Sequence, residues 1–341
     1  MNFIKTQWMP VVIFLIIAIV IADISIKGSK EETERNKSFL EYMQNESADT
    51  VWWGWNKYQI PLDSDSGKLI LYGCNLIENT AYYLGPKGTV SQISNGMNCQ
   101  NCHMKAGIVP YGNNFGKVLA TYPQFRTRSN SMQSIYGRIN DCFERSLNGK
   151  ALDSTCREMQ AMYAYMKWLG GDVPRGVARG GTGIVKLKYL NRAADPAVGY
   201  KVYTANCQTC HGKTGEGQLN AETNGYVYPP LWGVHSYNDG AGLYRLSSFA
   251  GFVKNNMPFG TEYHKPVLTD EEAWDVAAFV NSQPRPHLDQ SMDWKNIAKK
   301  PIDYPYGPYI DSFSEKQHKY GPYAPIKEAI NNIASNKNLL N

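Results

Sequence analysis

Two five-residue strings, CQNCH at 99–103 and CQTCH at 207–211, constrain this chain more than anything else in its sequence. In C-x-x-C-H two thiols add across the vinyl groups of a haem, and the adjacent imidazole turns in to bind iron from the same face. With 7 cysteines and 6 histidines among 341 residues, chance supplies about 0.003 such strings. Zinc also uses paired C-x-x-C, but Cys99 and Cys207 lie 108 positions apart, and zinc ribbons require no histidine directly after each pair. A thioredoxin-like redox pair needs a βαβ context, which neither string has. Two covalently bound haems c are expected, one on Cys99, Cys102 and His103, the other on Cys207, Cys210 and His211.

The sequence around the strings looks like a diverged repeat. Each string follows a helical stretch containing glycine (GKLILYGCNLI, VGYKVYTANC), and each half ends in a long amphipathic helix. In the first half that helix spans 157–169, with Met159, Met162, Met166 and Leu169 at helical spacing. In the second, Thr269 and Glu272 spell a capping box ahead of EEAWDVAAFV. Strand signals are sparse, so the fold class expected is mostly α, with two cytochrome c-like domains joined by a linker. The boundaries read as a signal or anchor segment over 1–27 and a polar tether over 28–50. A catalytic domain over 51–171, a Gly/Pro/Arg-rich linker over 172–197 and an electron-transfer domain over 198–285 come next. A Pro/Tyr-rich tail over 286–341 closes the chain and is expected to pack on both domains. Lys5 precedes an apolar run from Trp8 to Ala22, long enough for a short membrane span or a signal-peptide core. Either reading places the remainder in the periplasm, anchored or released, where haem is attached and thiols can oxidise.

Each iron needs a second protein ligand. For the haem on His211, NNMPFG offers Met257, 46 residues further on. A His/Met pair raises the potential and suits electron exit. Lys254 and His264 are rivals, and a carbonyl of Pro229 or Pro230 is expected to orient His211. The first half has no Met-Pro loop, which leaves Met132 and Cys142. Ile135, Ile139, Cys142, Phe143 and Ser146 share a helical face, so Cys142 points inward. Arg138 and Arg145 beside it favour a thiolate, which lowers the potential relative to a thioether. The three cysteines outside the haem strings are Cys74, Cys142 and Cys156, and an oxidising compartment suggests a Cys74–Cys156 disulfide.

Arg126, Arg128, Arg138 and Arg145 cluster in sequence. Besides salt bridges, guanidinium forks suit an oxyanion. The formal net charge of +5 is far from a nucleic-acid-binding profile, and no nucleic-acid partner is expected.

These stretches resemble the dihaem thiosulfate dehydrogenase/tetrathionate reductase family of the bacterial periplasm. The likeness runs through YGCNLIENTAYYLGPKG, GMNCQNCHMKAG, RINDCFERSLNGK, PPLWGVHSYNDGAG, NNMPFG, LTDEEAWDVAAFVNSQPRP and the tail. It implies that His103 and Cys142 ligate the catalytic haem, and that Arg128, Arg138 and Ser146 line the substrate pocket. It also implies an enzyme that joins two thiosulfates into tetrathionate, or runs in reverse. The second haem relays electrons to an external c-type cytochrome or a membrane electron carrier. Asn256 stands before Met257 where some members have lysine, and Cys74 stands where a polar or basic residue is expected. Two other classes compete: a non-catalytic electron-transfer cytochrome, and a haem subunit of a sulfur-oxidising multi-enzyme complex.

Overall fold

Ser64 opens the first long helix by accepting a hydrogen bond from the Gly67 amide at 3.1 Å, satisfying a donor with no partner in the first turn. The computed structural model describes residues 52, 54–55, 57–176 and 180–338; the apolar N-terminal run and the tether lie outside them. Helix α1 (Asp65–Glu78) is followed by α2 (Ile135–Asp141), which passes into a wide π-helical turn over Cys142–Ser146. Then come α3 (Arg157–Gly170), α4 (Pro196–Asn206), α5 (Leu246–Asn256), α6 (Asp270–Ser282), α7 (Glu315–Tyr320) and α8 (Ala324–Asn338). Among the described residues strands are confined to two antiparallel pairs: β1 (Gln124–Arg126) with β2 (Ser131–Gln133), and β3 (Gln218–Leu219) with β4 (Tyr226–Tyr228). The expected capping box is present: Thr269 and Glu272 bond each other's backbone amides at the start of α6.

Two crossings repeat the same device. α1 packs along α3, and α4 along α6. At the first crossing a Cβ on Gly73 would sit 2.0 Å from the Ala161 carbonyl oxygen; at the second, a Cβ on Gly199 would sit 1.9 Å from that of Asp275. Backbone thus touches backbone at both points, which only glycine allows. Around the first crossing Leu76, Ile77, Leu84, Phe143, Met159, Met162 and Leu169 form one buried core. Around the second, Tyr203, Phe249, Val253, Trp274, Ala277 and Tyr323 form another. Tyr226 of β4 joins the first core, and Met104 packs against the second, so the two cores interlock.

Segments flanking the helices tie both halves together. The amides of Trp52, Tyr111 and Asn113 donate to the carbonyls of Gly180, Gly181 and Gly183, and the Trp274 indole donates to the Lys188 carbonyl at 3.1 Å. In the tail, Asp293 accepts both arms of Arg145 at 2.8 and 2.9 Å. Asp303, fully buried, accepts from Arg245 Nε at 2.9 Å and from the Ser247 hydroxyl.

The Cys74–Cys156 pairing does not form; both are free thiols. Cys156 Sγ caps α3 by accepting from the Met159 amide at 3.4 Å. Cys74 is buried against Tyr165, and burial pushes its thiol up to about 12. Tyr165 lies nine residues beyond Cys156 along α3, about 13 Å of helical rise, too far for a disulfide.

Replacing Gly73 or Gly199 by valine is expected to destabilise the holoprotein by about 1–3 kcal/mol or more through overpacking. Thermal unfolding followed by circular dichroism checks it; an unchanged midpoint would show that the crossings can spread.

Candidate haem and anion site

The first C-x-x-C-H leaves the end of α1 through the short helix Thr80–Leu84. The Cys99 amide donates to Thr80 Oγ1 at 3.0 Å, and the Ala81 amide donates to Asn98 Oδ1 at 2.8 Å. Cys99–Asn101 then forms a tight 3₁₀ turn, and the His103 amide reaches back to the Cys99 carbonyl at 2.9 Å. The same bond recurs from His211 to Cys207 at the end of α4, also at 2.9 Å. In both places the turn draws the histidine back onto the first cysteine of its string.

Each imidazole is held through Nδ1. His103 Nδ1 bonds the Asn113 carbonyl, and its ring stacks on Phe115 with centroids 4.4 Å apart. His211 Nδ1 bonds the Pro229 carbonyl at 2.8 Å, as expected from the sequence. A carbonyl partner requires a proton on Nδ1 and so leaves Nε2 as the lone-pair face that can bind iron. Burial pushes His103 down to about 4 against the raising effect of the Asn113 bond, and lowers His211 likewise. Both rings are neutral at physiological pH, the form a metal needs.

Cys142 opens the π turn, partly buried. Cys99 and Cys102, pushed up to about 12 mainly by burial, both feel its charge. Arg138, one turn earlier on the same face, is held above the ordinary guanidinium range, first of all by the charge of the Cys142 sulfur. Its charge also reaches His103. His103, Arg138, Cys142 and the two haem-attaching thiols therefore share one locus. Met132 is 65% exposed on β2, which removes it as the rival ligand. Ser146 ends the same π turn, partly buried.

The arginines divide. Arg128 is partly buried and pairs with Asp141 at 2.5 Å, and Asp141 also accepts from Gln133 at 2.6 Å. Arg145 points away into the tail on Asp293, with Asp141 at 3.8 Å. It is a tie between segments rather than a partner of the Cys142 sulfur. Asp141, Gln133 and Asp293 were not legible as site residues in the sequence; nothing in their spacing marks them.

At the second site Met257 follows α5 directly, partly buried against the second core. Lys254 is engaged by Asp270 at 2.9 Å and by the Leu268 carbonyl at 2.7 Å. His264 faces Glu262 at 3.2 Å. Asn256 turns its amide to the carbonyls of Tyr111 and Phe252 at 3.1 and 2.8 Å. The donor sets fit haem: a pair of thiols beside a neutral, oriented imidazole in each half. One further feature fits its propionates, since Arg285 carries two buried N–H groups without an acceptor.

Residues 89–174 match the SoxA/TsdA cytochrome c domain, and residues 196–284 match the cytochrome c family. A thiosulfate dehydrogenase from Psychrobacter arcticus is 40% identical over 236 residues, covering 69% of each chain. The chain belongs to the thiosulfate dehydrogenase family. A second relative, from Allochromatium vinosum, is 40% identical over 66% of this chain and 81% of its own. The solved thiosulfate dehydrogenase (TsdBA) from Marichromatium purpuratum superposes with a TM-score of 0.63 at 30% identity, covering 69% of this chain and 50% of that one. This member of the thiosulfate dehydrogenase family thus consists of two cytochrome c domains and carries two c-type haems, one C-x-x-C-H to each domain.

Asp141→Ala is expected to cost about 3–5 kcal/mol, because it strands the Arg128 guanidinium without its carboxylate. Chemical denaturation of the holoprotein measures it. A loss below 1 kcal/mol would mean that Arg128 is solvated in the native state.

Proposed function

We propose that the protein interconverts thiosulfate and tetrathionate at the locus of His103 and Cys142, with Met257 and His211 ligating a second haem that relays electrons. The observation that carries this reading is the i, i+4 placement of Arg138 and Cys142 at the end of α2, which sets a guanidinium beside the sulfur. It supports a sulfur that is both an iron ligand and a nucleophile. The bound haems would take up the two electrons released and pass them to an external carrier. The proposed setting is the periplasm, with the N-terminal apolar run as anchor or signal.

The residues' work follows from charge. Thiosulfate is a dianion, and the Cys142 thiolate is negative, so their approach is repulsive until cations offset it. Arg138 stands against the sulfur itself. Arg128 stands behind it on the Asp141 side, and Ser146, one turn on, presents a hydroxyl donor. Guanidinium forks match sulfonate oxygens in geometry and remain charged at any working pH. In the forward direction the Cys142 sulfur bonds to the sulfane sulfur of thiosulfate, and two electrons leave. A second thiosulfate then attacks that sulfane sulfur, the Cys142–sulfur bond breaks, and tetrathionate departs, restoring the thiolate. Charge and sulfur balance in both steps, and neither consumes a proton. The wide turn at Cys142–Ser146 suits this work, because π turns loosen the helical ladder where a side chain must shift.

A purely electron-transferring cytochrome would have no use for a thiol held against a buried guanidinium. Cys142→Ala, with both haems retained, is expected to reduce turnover in each direction by at least about a thousandfold. Steady-state assays with thiosulfate plus an oxidant, and with tetrathionate plus a reductant, check it. Normal turnover by this variant would remove Cys142 from the mechanism.

A further inference from the structure

Arg285 follows α6 by three residues and carries two N–H groups, Nε and Nη1, that are shielded from water and meet no acceptor. Its remaining arm donates to the Val280 carbonyl at 2.7 Å. The guanidinium lies over the rings of Tyr237 at 4.3 Å and Tyr244 at 5.1 Å. Among the described residues no carboxylate is paired with it. The acid that follows Tyr237 by two residues, Asp239, is already occupied by His287, the Leu288 amide, Gln290 and Tyr306. A guanidinium with shielded, unused donors and no counter-charge is strongly disfavoured. Its place therefore calls for an anion that the polypeptide does not supply.

The loop under Arg285 indicates where that anion sits. Residues 236–240 belong to the second half in sequence but are sewn onto the first. Asn95 donates to the Ser236 carbonyl at 3.0 Å. The Asn238 amide donates to the Arg145 carbonyl at 3.1 Å, and its side chain to the Glu144 carbonyl at 2.8 Å, both within the π turn that begins at Cys142. Tyr237, between these ties, is close enough to Cys102 to feel its charge. Arg285 thus stands over a loop that is tied to the turn bearing Cys142 and lies near Cys102, at the seam between the halves.

We propose that Arg285 is a positioning residue that clamps a propionate of the haem on Cys99 and Cys102, donating Nε–H and Nη1–H to propionate oxygens. The contact makes the second half of the chain part of the first haem's binding site. It also sets a fixed positive charge beside that haem, which disfavours the oxidised iron and raises its potential. This inference rests on haem attachment alone and stands or falls independently of the sulfur chemistry.

The test is a spectroelectrochemical titration of the purified dihaem holoprotein in mildly alkaline buffer, comparing wild type with Arg285→Gln and Arg285→Lys. Expected are two haems per chain throughout, a lowered midpoint for the haem on Cys99 and Cys102 in Arg285→Gln, and a midpoint near wild type in Arg285→Lys. The haem on Cys207 and Cys210 keeps its potential in both. Unchanged potentials, or a shift confined to the second haem, would overturn the assignment. Should the variants fail to mature, a crystal structure of the wild-type holoprotein decides. Arg285 within hydrogen-bond distance of a propionate of the first haem supports the proposal; water alone, or a propionate of the second haem, refutes it.

Discussion

An iron pinned from one face by Cys-x-x-Cys-His must take its other protein ligand from a distant part of the chain. That constraint organises this fold. The pinned face is local: a tight turn, two thiols, and an imidazole whose Nδ1 is committed to the carbonyl of Asn113 or Pro229. On the proposed ligation, the opposite face comes from elements remote in sequence. In the second half that element would be the exit of α5 at Met257, where a thioether suits a haem that hands electrons on. In the first half it would be the wide turn at Cys142, where the sulfur has Arg138 beside it.

Charge distinguishes the first environment further. Asp141 sits between Arg128 and Arg145, so this cluster is not a bare cationic patch. One carboxylate holds Arg128 in place, and Asp293 draws Arg145 away into the tail. Arg138 is left as the cation in contact with Cys142. The proposed reaction brings two dianions to this site and releases one, and such partial neutralisation would suit it, since an excess of positive charge would bind the product too tightly.

Much of this could be read in the sequence, for reasons that differ by residue. C-x-x-C-H is legible because the chemistry demands fixed types at fixed spacing. The Thr269–Glu272 box is legible because capping is local. The Pro229 carbonyl could be anticipated because a ligating imidazole requires a partner on Nδ1. Helical phase brought Cys142 inward, but the π turn was invisible, because it depends on packing rather than on residue preference. Arg145 was placed beside the sulfur on sequence proximity; its true partner, Asp293, lies 148 positions away. The Cys74–Cys156 pairing rested on compartment alone, and compartment says that thiols can oxidise, not that they meet. Arg285 gave no signal at all, since an orphaned donor exists only in three dimensions.

The central claim is that the Cys142 sulfur is loaded with substrate during turnover. Intact-protein and peptide mass spectrometry of the fully oxidised holoprotein, mixed with thiosulfate without an external acceptor, tests it most directly. A mass increase of one thiosulfate is expected on the peptide bearing Cys142 after one equivalent of thiosulfate, removed by a second equivalent with no electron acceptor added. Haem reduction and tetrathionate formation with an unmodified Cys142, or with the adduct on Cys74 or Cys156, would contradict it.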